Sequence, residues 1–188
     1  MAPDGNMLTT RFHLRDATSV DHAAAEAVHY AHQKFADKNA YFDYLTSLYA
    51  AHLTLGLPAA QLRQDVGEEA YHQTHVGLIC EDLGHTPRPE SACDPVRSLG
   101  EAWGISYALI GSALGATAVL RDLGSSSDWP TAYLDASARF AKSRGVATFF
   151  AALNAANPDP DEATFGARRV FARIAGQTTP EKDLTQVK

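Results

Sequence analysis

The sequence predicts an all-α protein, a single-domain bundle of about six helices. Three observations carry this: apolar residues recur at helical spacing in block after block, no segment sustains the alternation of a strand, and caps or breakers separate the blocks. The first block runs from about Thr10 to Phe35 and contains LRDATSVDHAAAEAVHYAH. A second follows Asn39, read as its N-cap, through AYFDYLTSLYAAHLTL, and Gly56 is expected to end it. Pro58 suits the first turn of a third helix, which continues to about Leu83 before GHTPRPESACD breaks the pattern. Asp94 and Pro95 read as cap and first residue of a glycine-containing helix reaching about Leu123. The GSSSD loop follows, with Asp128 near the start of a fifth helix that Gly145 is expected to kink. Asp159 and Pro160 open the last helix. The organisation expected is a flexible N-terminus over 1–9, a helical domain over 10–176 and a frayed tail over 177–188.

Composition narrows the function. A chain of 188 residues can bury a sizeable core, and 45% hydrophobic with 20% charged residues is ordinary for a globular domain. A net charge of −6 argues against nucleic acid and against an anionic membrane as partner. No apolar run is read as approaching a membrane span of roughly 20 residues. The polar start MAPDGNMLTT has no signal-peptide core, so the cytoplasm is the expected location. Cys80 and Cys93 form no metal pattern and are expected to be free thiols.

The segment YALIGSALGATAVL poses the central question. Each glycine in a helix costs roughly 1 kcal/mol relative to alanine, yet Gly111 and Gly115 lie inside this apolar run, with Gly100 and Gly104 upstream. At about 100° per residue all four fall within an arc of roughly 60°, together with Ala118. One explanation is close helix packing. The other is a flat ligand lying against bare backbone.

The first helix offers a facing group. Leu14, Thr18, His22, Ala25, Glu26 and His29 share one side of it, and three alanines follow His22. A neutral imidazole is a good iron ligand, and one suffices for five-coordinate heme. Arg15, two turns earlier on nearly the same face, is placed to pair a ligand carboxylate. His13, His32, His52, His75 and His85 are read as surface or hydrogen-bonded core residues. A competing constellation consists of Glu26-x-x-His29 and Glu69-x-x-His72, with Glu81 and Glu101 as further carboxylates, which is how a helical bundle presents a di-metal site.

LRDATSVDHAAAE resembles the proximal helix of heme oxygenases, in which a basic residue stands seven positions before the iron-ligating histidine. ISYALIGSALGATAVL resembles their distal helix, whose glycines lie over the heme. The pattern is most similar to the bacterial biliverdin-producing branch that accompanies bacteriophytochromes, where the distal segment reads like Y-V-L-E-G-S-x-L-G-G. YFDYLTSLYAAHLTL and EDLGH resemble further segments of that branch, so the similarity covers about Leu14 to Ala175. It implies His22 as the proximal iron ligand, Gly111 and Gly115 as distal glycines, and Arg15 facing a propionate. Tyr107 and Ser112 match positions lining or supporting the distal side. The chain departs from the motif at Ile110, where the branch carries glutamate, and at Ala116, where it carries a second glycine. The resemblance further implies that heme is both cofactor and substrate, opened with O₂ to biliverdin, CO and ferrous iron. Backbone close above the iron would leave O₂ no upright position and tilt it toward one meso edge. Electrons would come from an external ferredoxin or flavoprotein reductase, because the chain has no dinucleotide fingerprint, and a bacteriophytochrome is a candidate receiver of the pigment. Two other readings stay open: a heme-binding protein of this fold without turnover, and a non-heme relative of di-metal or thiaminase type.

Overall fold

The computed structural model describes residues 9–29, 35–88, 95–123 and 128–177. The expected flexible ends, apart from Thr9 and Gln177, lie outside the described residues, as do His32, Cys93, Asp94 and the serines of the GSSSD loop. Among the described residues every regular element is helical. They are α1 (Thr10–Ala17), α2 (Ser19–His29), α3 (Lys38–Ala51), a π-helical turn (His52–Gly56), α4 (Leu57–Arg63), α5 (Val66–Leu83), α6 (Leu99–Gly111), α7 (Ala113–Leu123), α8 (Ala132–Lys142), α9 (Gly145–Ala156) and α10 (Pro160–Ile174). Several of the expected helices are therefore pairs of shorter ones joined at a bend.

The differences have local causes. The first block bends at Thr18, whose hydroxyl bonds back to the Leu14 carbonyl at 2.7 Å. The N-cap of α3 is Asp37 rather than Asn39, because the Asp37 carboxylate accepts from the Ala40 amide at 2.9 Å. Gly56 does not end a helix: backbone conformation stays helical through the π turn into α4, with Pro58 in its first turn. The stop comes at Gln64, in left-handed conformation with φ of 56°, and Asp65 caps α5. The glycine-rich helix starts four residues later than Pro95, at Leu99, where the Ser98 side chain accepts from the Glu101 amide. Thr131 rather than Asp128 precedes α8. Gly145 opens α9 instead of kinking a longer helix, after Arg144 reverses the chain at φ of 71°. Asp159 and Pro160 start α10 as expected, the carboxylate accepting from the Asp161 and Glu162 amides.

α6 is the spine of the core. Leu45, Leu48, Leu55, Ile79, Ile105, Leu109 and Val170 are almost wholly buried around it, from α3, the π turn, α5, α6 and α10. A Cβ on Gly104 would overlap the Ala163 carbonyl, and one on Gly166 would overlap that of Glu101, so α6 and α10 cross with their backbones in contact. The buried Glu101–Arg169 ion pair locks that crossing. Leu99–Leu123 is apolar and long enough to span a membrane, against the expectation of no such run; it bends at Ser112 and half of it is buried inside the bundle. Leucine, isoleucine, valine and alanine give this stretch its apolar character, and its glycines permit the close packing.

Candidate functional site

Between α2 on one side and α6 and α7 on the other lies a cavity of about 630 Å³. That size is typical of sites for small molecules and cofactors. All six residues singled out in the sequence line it: Arg15 from α1, His22 from α2, Tyr107 and Gly111 from α6, Ser112 at the bend, and Gly115 from α7. Thr18, Ala25, Glu26 and His29, from the same side of the first block, join them.

The glycine arc divides in two. Gly100 and Gly104 serve packing, since a Cβ there would collide with Glu162 and with the Ala163 backbone. Gly111 and Gly115 border open space: an added Cβ would meet only Phe150 Cζ at 3.9 Å in the first case and nothing within 4 Å in the second. Packing accounts for the upstream half of the arc, and the downstream half leaves bare backbone facing the cavity.

His22 is about half exposed, with Nδ1 3.6 Å from a Glu26 carboxylate oxygen one turn along, and its ring packs edge-on to Phe171 at 5.4 Å. Nδ1 thus has an anionic neighbour and Nε2 is the ring nitrogen left for another partner. His29 is engaged differently, bonding the Ile174 carbonyl at 2.7 Å. At the α1 end of the cavity stand two guanidiniums. Arg15 contacts Asp16 at 2.8 Å and lies 5.1 Å over the Phe12 ring. Arg11, which the sequence reading passed over, lies 4.3 Å over Phe150, and its backbone amide is held by the Asn154 side chain at 3.1 Å. Burial raises the Tyr107 phenol above its ordinary range, with Arg11 and Arg15 pulling the other way. Phe150, Phe171, Leu48 and Val119 complete an apolar wall. Arg11 stands one turn before Arg15 on the face that carries Thr18 and His22, a spacing visible in the sequence, whereas nothing there distinguished Phe150, because helix α9 reaches the site only through tertiary packing.

The residues of the di-metal pattern do not converge. Glu26 and His29 face this cavity. Glu69 is half-buried and bonded to Gln61 and Gln73, Glu81 is exposed, and Glu101 is paired with Arg169. Among the described residues no group of three or more His, Cys, Asp or Glu is arranged to hold a metal ion. Ile110 and Ala116, the two departures from the motif, do not border the cavity. Ile110 packs with Leu14, Tyr71 and Phe149, and Ala116 lies in the main core.

The cavity fits a flat amphiphilic disc such as heme. It offers an imidazole on one side, bare backbone on the other, apolar walls, and two cations at one end for carboxylates. No protein-family model and no curated protein matches the chain. Its fold is similar to that of the heme oxygenase of Neisseria meningitidis, described in NO- and CO-bound crystal structures. The match has a TM-score of 0.60 at 20% identity and covers 96% of this chain and 98% of that one. The chain thus has a heme oxygenase-like, all-α fold.

Proposed function

We propose that this protein is a heme oxygenase, opening heme to biliverdin with release of CO and ferrous iron, using O₂ and electrons from an external ferredoxin or flavoprotein reductase. The observation that carries the reading is that His22 and the bare Gly111–Gly115 backbone border one cavity from opposite helices. The fold similarity supports it, and the motif resemblance suggests the bacteriophytochrome-associated branch, with a phytochrome receiving the pigment.

In this reading Nε2 of His22 would hold the iron, with the Glu26 carboxylate beside Nδ1 orienting the ring. Arg15 and Arg11 would pair the propionate carboxylates at the α1 end of the cavity. Bound heme supplies O₂ binding and redox chemistry, and is itself the substrate. Gly111 and Gly115 keep side chains out of the cavity, so that backbone shape would limit where O₂ meets the substrate. Phe150 and Phe171 exclude water from the apolar flank. Tyr107 stays protonated at neutral pH, and Ser112 offers a hydroxyl at the helix bend.

The test is spectroscopic. Purified protein with added heme is expected to show a five-coordinate, histidine-ligated visible spectrum, which His22→Ala abolishes. Reduction in the presence of a reductase is then expected to yield biliverdin. An unchanged spectrum in the variant would discard the ligand assignment. The second reading, a heme-binding protein without turnover, draws on Ile110 standing in an apolar cluster where the motif has a carboxylate. Heme uptake without pigment would select it.

A further inference from the structure

The two cations at the α1 end of the cavity are held in different ways. Helix α1 has eight residues, too few to be stable alone, and its N-cap residue Thr9 makes no side-chain cap bond. Other helices supply what it lacks. At its N-terminus the Asn154 side-chain oxygen, from α9, accepts from the Arg11 amide at 3.1 Å. Beside that bond the Thr10 hydroxyl donates to the Asn157 side-chain oxygen at 3.2 Å. At its C-terminus Arg168 of α10 donates to the Ala17 carbonyl at 3.1 Å and to the Asp21 carboxylate at 3.2 Å. That guanidinium braces the bend at Thr18, from which α2 carries the chain to His22.

Arg11 is attached to α9 at two points. Asn154 holds its amide, and its guanidinium lies 4.3 Å over the ring of Phe150, one turn earlier on the same helix. Main chain and side-chain tip are both fixed against one element, so much of the ordering cost is met before a ligand arrives. Arg15 instead contacts its own helix. Its side chain is exposed, pairs with the neighbouring Asp16 at 2.8 Å, and lies 5.1 Å over Phe12, which is itself exposed. An exposed pair of this kind fixes a side chain weakly, and Asp16 competes with any ligand carboxylate for the guanidinium. Tyr107, facing the cavity from α6, reports the same order. Burial raises its phenol, and Arg11 opposes that rise more strongly than Arg15 does.

We propose that Asn154 is a positioning residue that holds Arg11 ready, and that Arg11 rather than Arg15 is the main carboxylate anchor of the cavity. This rests on the heme oxygenase reading, which supplies a ligand with carboxylates. A guanidinium is a planar fork that pairs a carboxylate in one orientation, so its value as an anchor depends on how firmly it is placed. The motif resemblance singled out Arg15 by its distance in sequence from the histidine. The folded chain puts Arg11, one turn earlier, against α9.

Amide hydrogen exchange in the heme-free protein tests the hold itself. The Arg11 amide should exchange roughly tenfold faster in Asn154→Ala than in the wild type, as loss of one firm hydrogen bond allows. Asn157→Gly removes the neighbouring bond between the same two helices and should leave that rate near the wild-type value. Equal rates in the wild type and Asn154→Ala would overturn the proposal without touching the proposed function. Titration with heme and with heme dimethyl ester, whose carboxylates are masked, tests what the hold serves. Arg11→Gln keeps the backbone amide and should weaken heme binding by about tenfold or more, and Arg15→Gln by several-fold less. Asn154→Ala should weaken heme binding severalfold and leave the affinity for the ester unchanged, whereas a merely structural loss would weaken both alike. Equal losses for heme and ester in Asn154→Ala would overturn the proposal, as would a loss in Arg15→Gln matching that in Arg11→Gln. Wild-type protein that takes up neither heme nor its ester would sink the parent reading, and this inference with it.

Discussion

Gly115 separates two kinds of reason for a glycine. In a helix it is inferior to alanine by about 1 kcal/mol, and here a methyl would touch nothing within 4 Å. Conformational preference and sterics therefore both favour alanine in the heme-free protein. Only an occupant of the cavity disfavours it. Gly115→Ala is expected to raise the heme-free melting temperature by roughly 2–4 °C, as about 1 kcal/mol does in a chain of this length. The same variant should lower heme affinity and biliverdin yield. Calorimetry and a heme titration on one preparation decide the matter. A more stable variant with undiminished turnover would mean that the bare backbone has no ligand to accommodate.

Gly104 makes the opposite argument at the crossing of α6 and α10. Its Cβ would occupy the position of the Ala163 carbonyl, a backbone group that cannot swing aside as a side-chain tip can. Gly104→Ala is thus expected to destabilise by at least the roughly 1–3 kcal/mol of ordinary overpacking, measured by urea unfolding. If it instead gained stability as Gly115→Ala should, the crossing would be looser than its geometry requires. Helical periodicity made the four glycines visible as one face, but the sequence could not say which half meets another helix, since that depends on where α10 returns. The same limit applies to helix ends. Asp159–Pro160 was legible because cap and first turn are adjacent in the chain. Ser98 and Asp37 were not, because several nearby residues have side chains able to cap and tertiary packing selects among them. His22, Arg15, Gly111 and Gly115 were legible as a constellation because each helix repeats its periodicity locally. Phe150 was not, because tertiary packing brings α9 to the cavity, and neither were the buried histidines, because the π turn shifts the helical register by one residue, a change that no pattern in LTLGLP announces.

Stability of the protein as a whole is expected to record the buried imidazoles through pH. Burial holds His52 well below the ordinary histidine range, with His72 and His75 adding to the effect. Burial also lowers His75 to about 4, against the partial opposition of its bond to Tyr71. Once the chain unfolds, both rings regain a pKa near 6.5. Between that value and the folded one the unfolded chain binds more protons, so stability falls as pH falls. For two such groups the loss from pH 7 to pH 5 is on the order of 4 kcal/mol, a large share of the 5–15 kcal/mol typical of a domain. Asp82 acts in the other direction, because burial raises its carboxyl despite bonds from the Ala132 and Tyr133 amides. Its contribution grows only near the carboxylate range, below most of this window. At alkaline pH the buried phenols of Tyr41, Tyr71 and Tyr133, all raised by burial, take over, and stability should decline again above about pH 10 as unfolded tyrosine ionises. Urea unfolding at pH 7, 6 and 5 should show the acid slope, and His75→Gln should flatten it by about half. An equally steep slope in that variant would place the responsible protons elsewhere in the fold and leave the neutral imidazole pair without support.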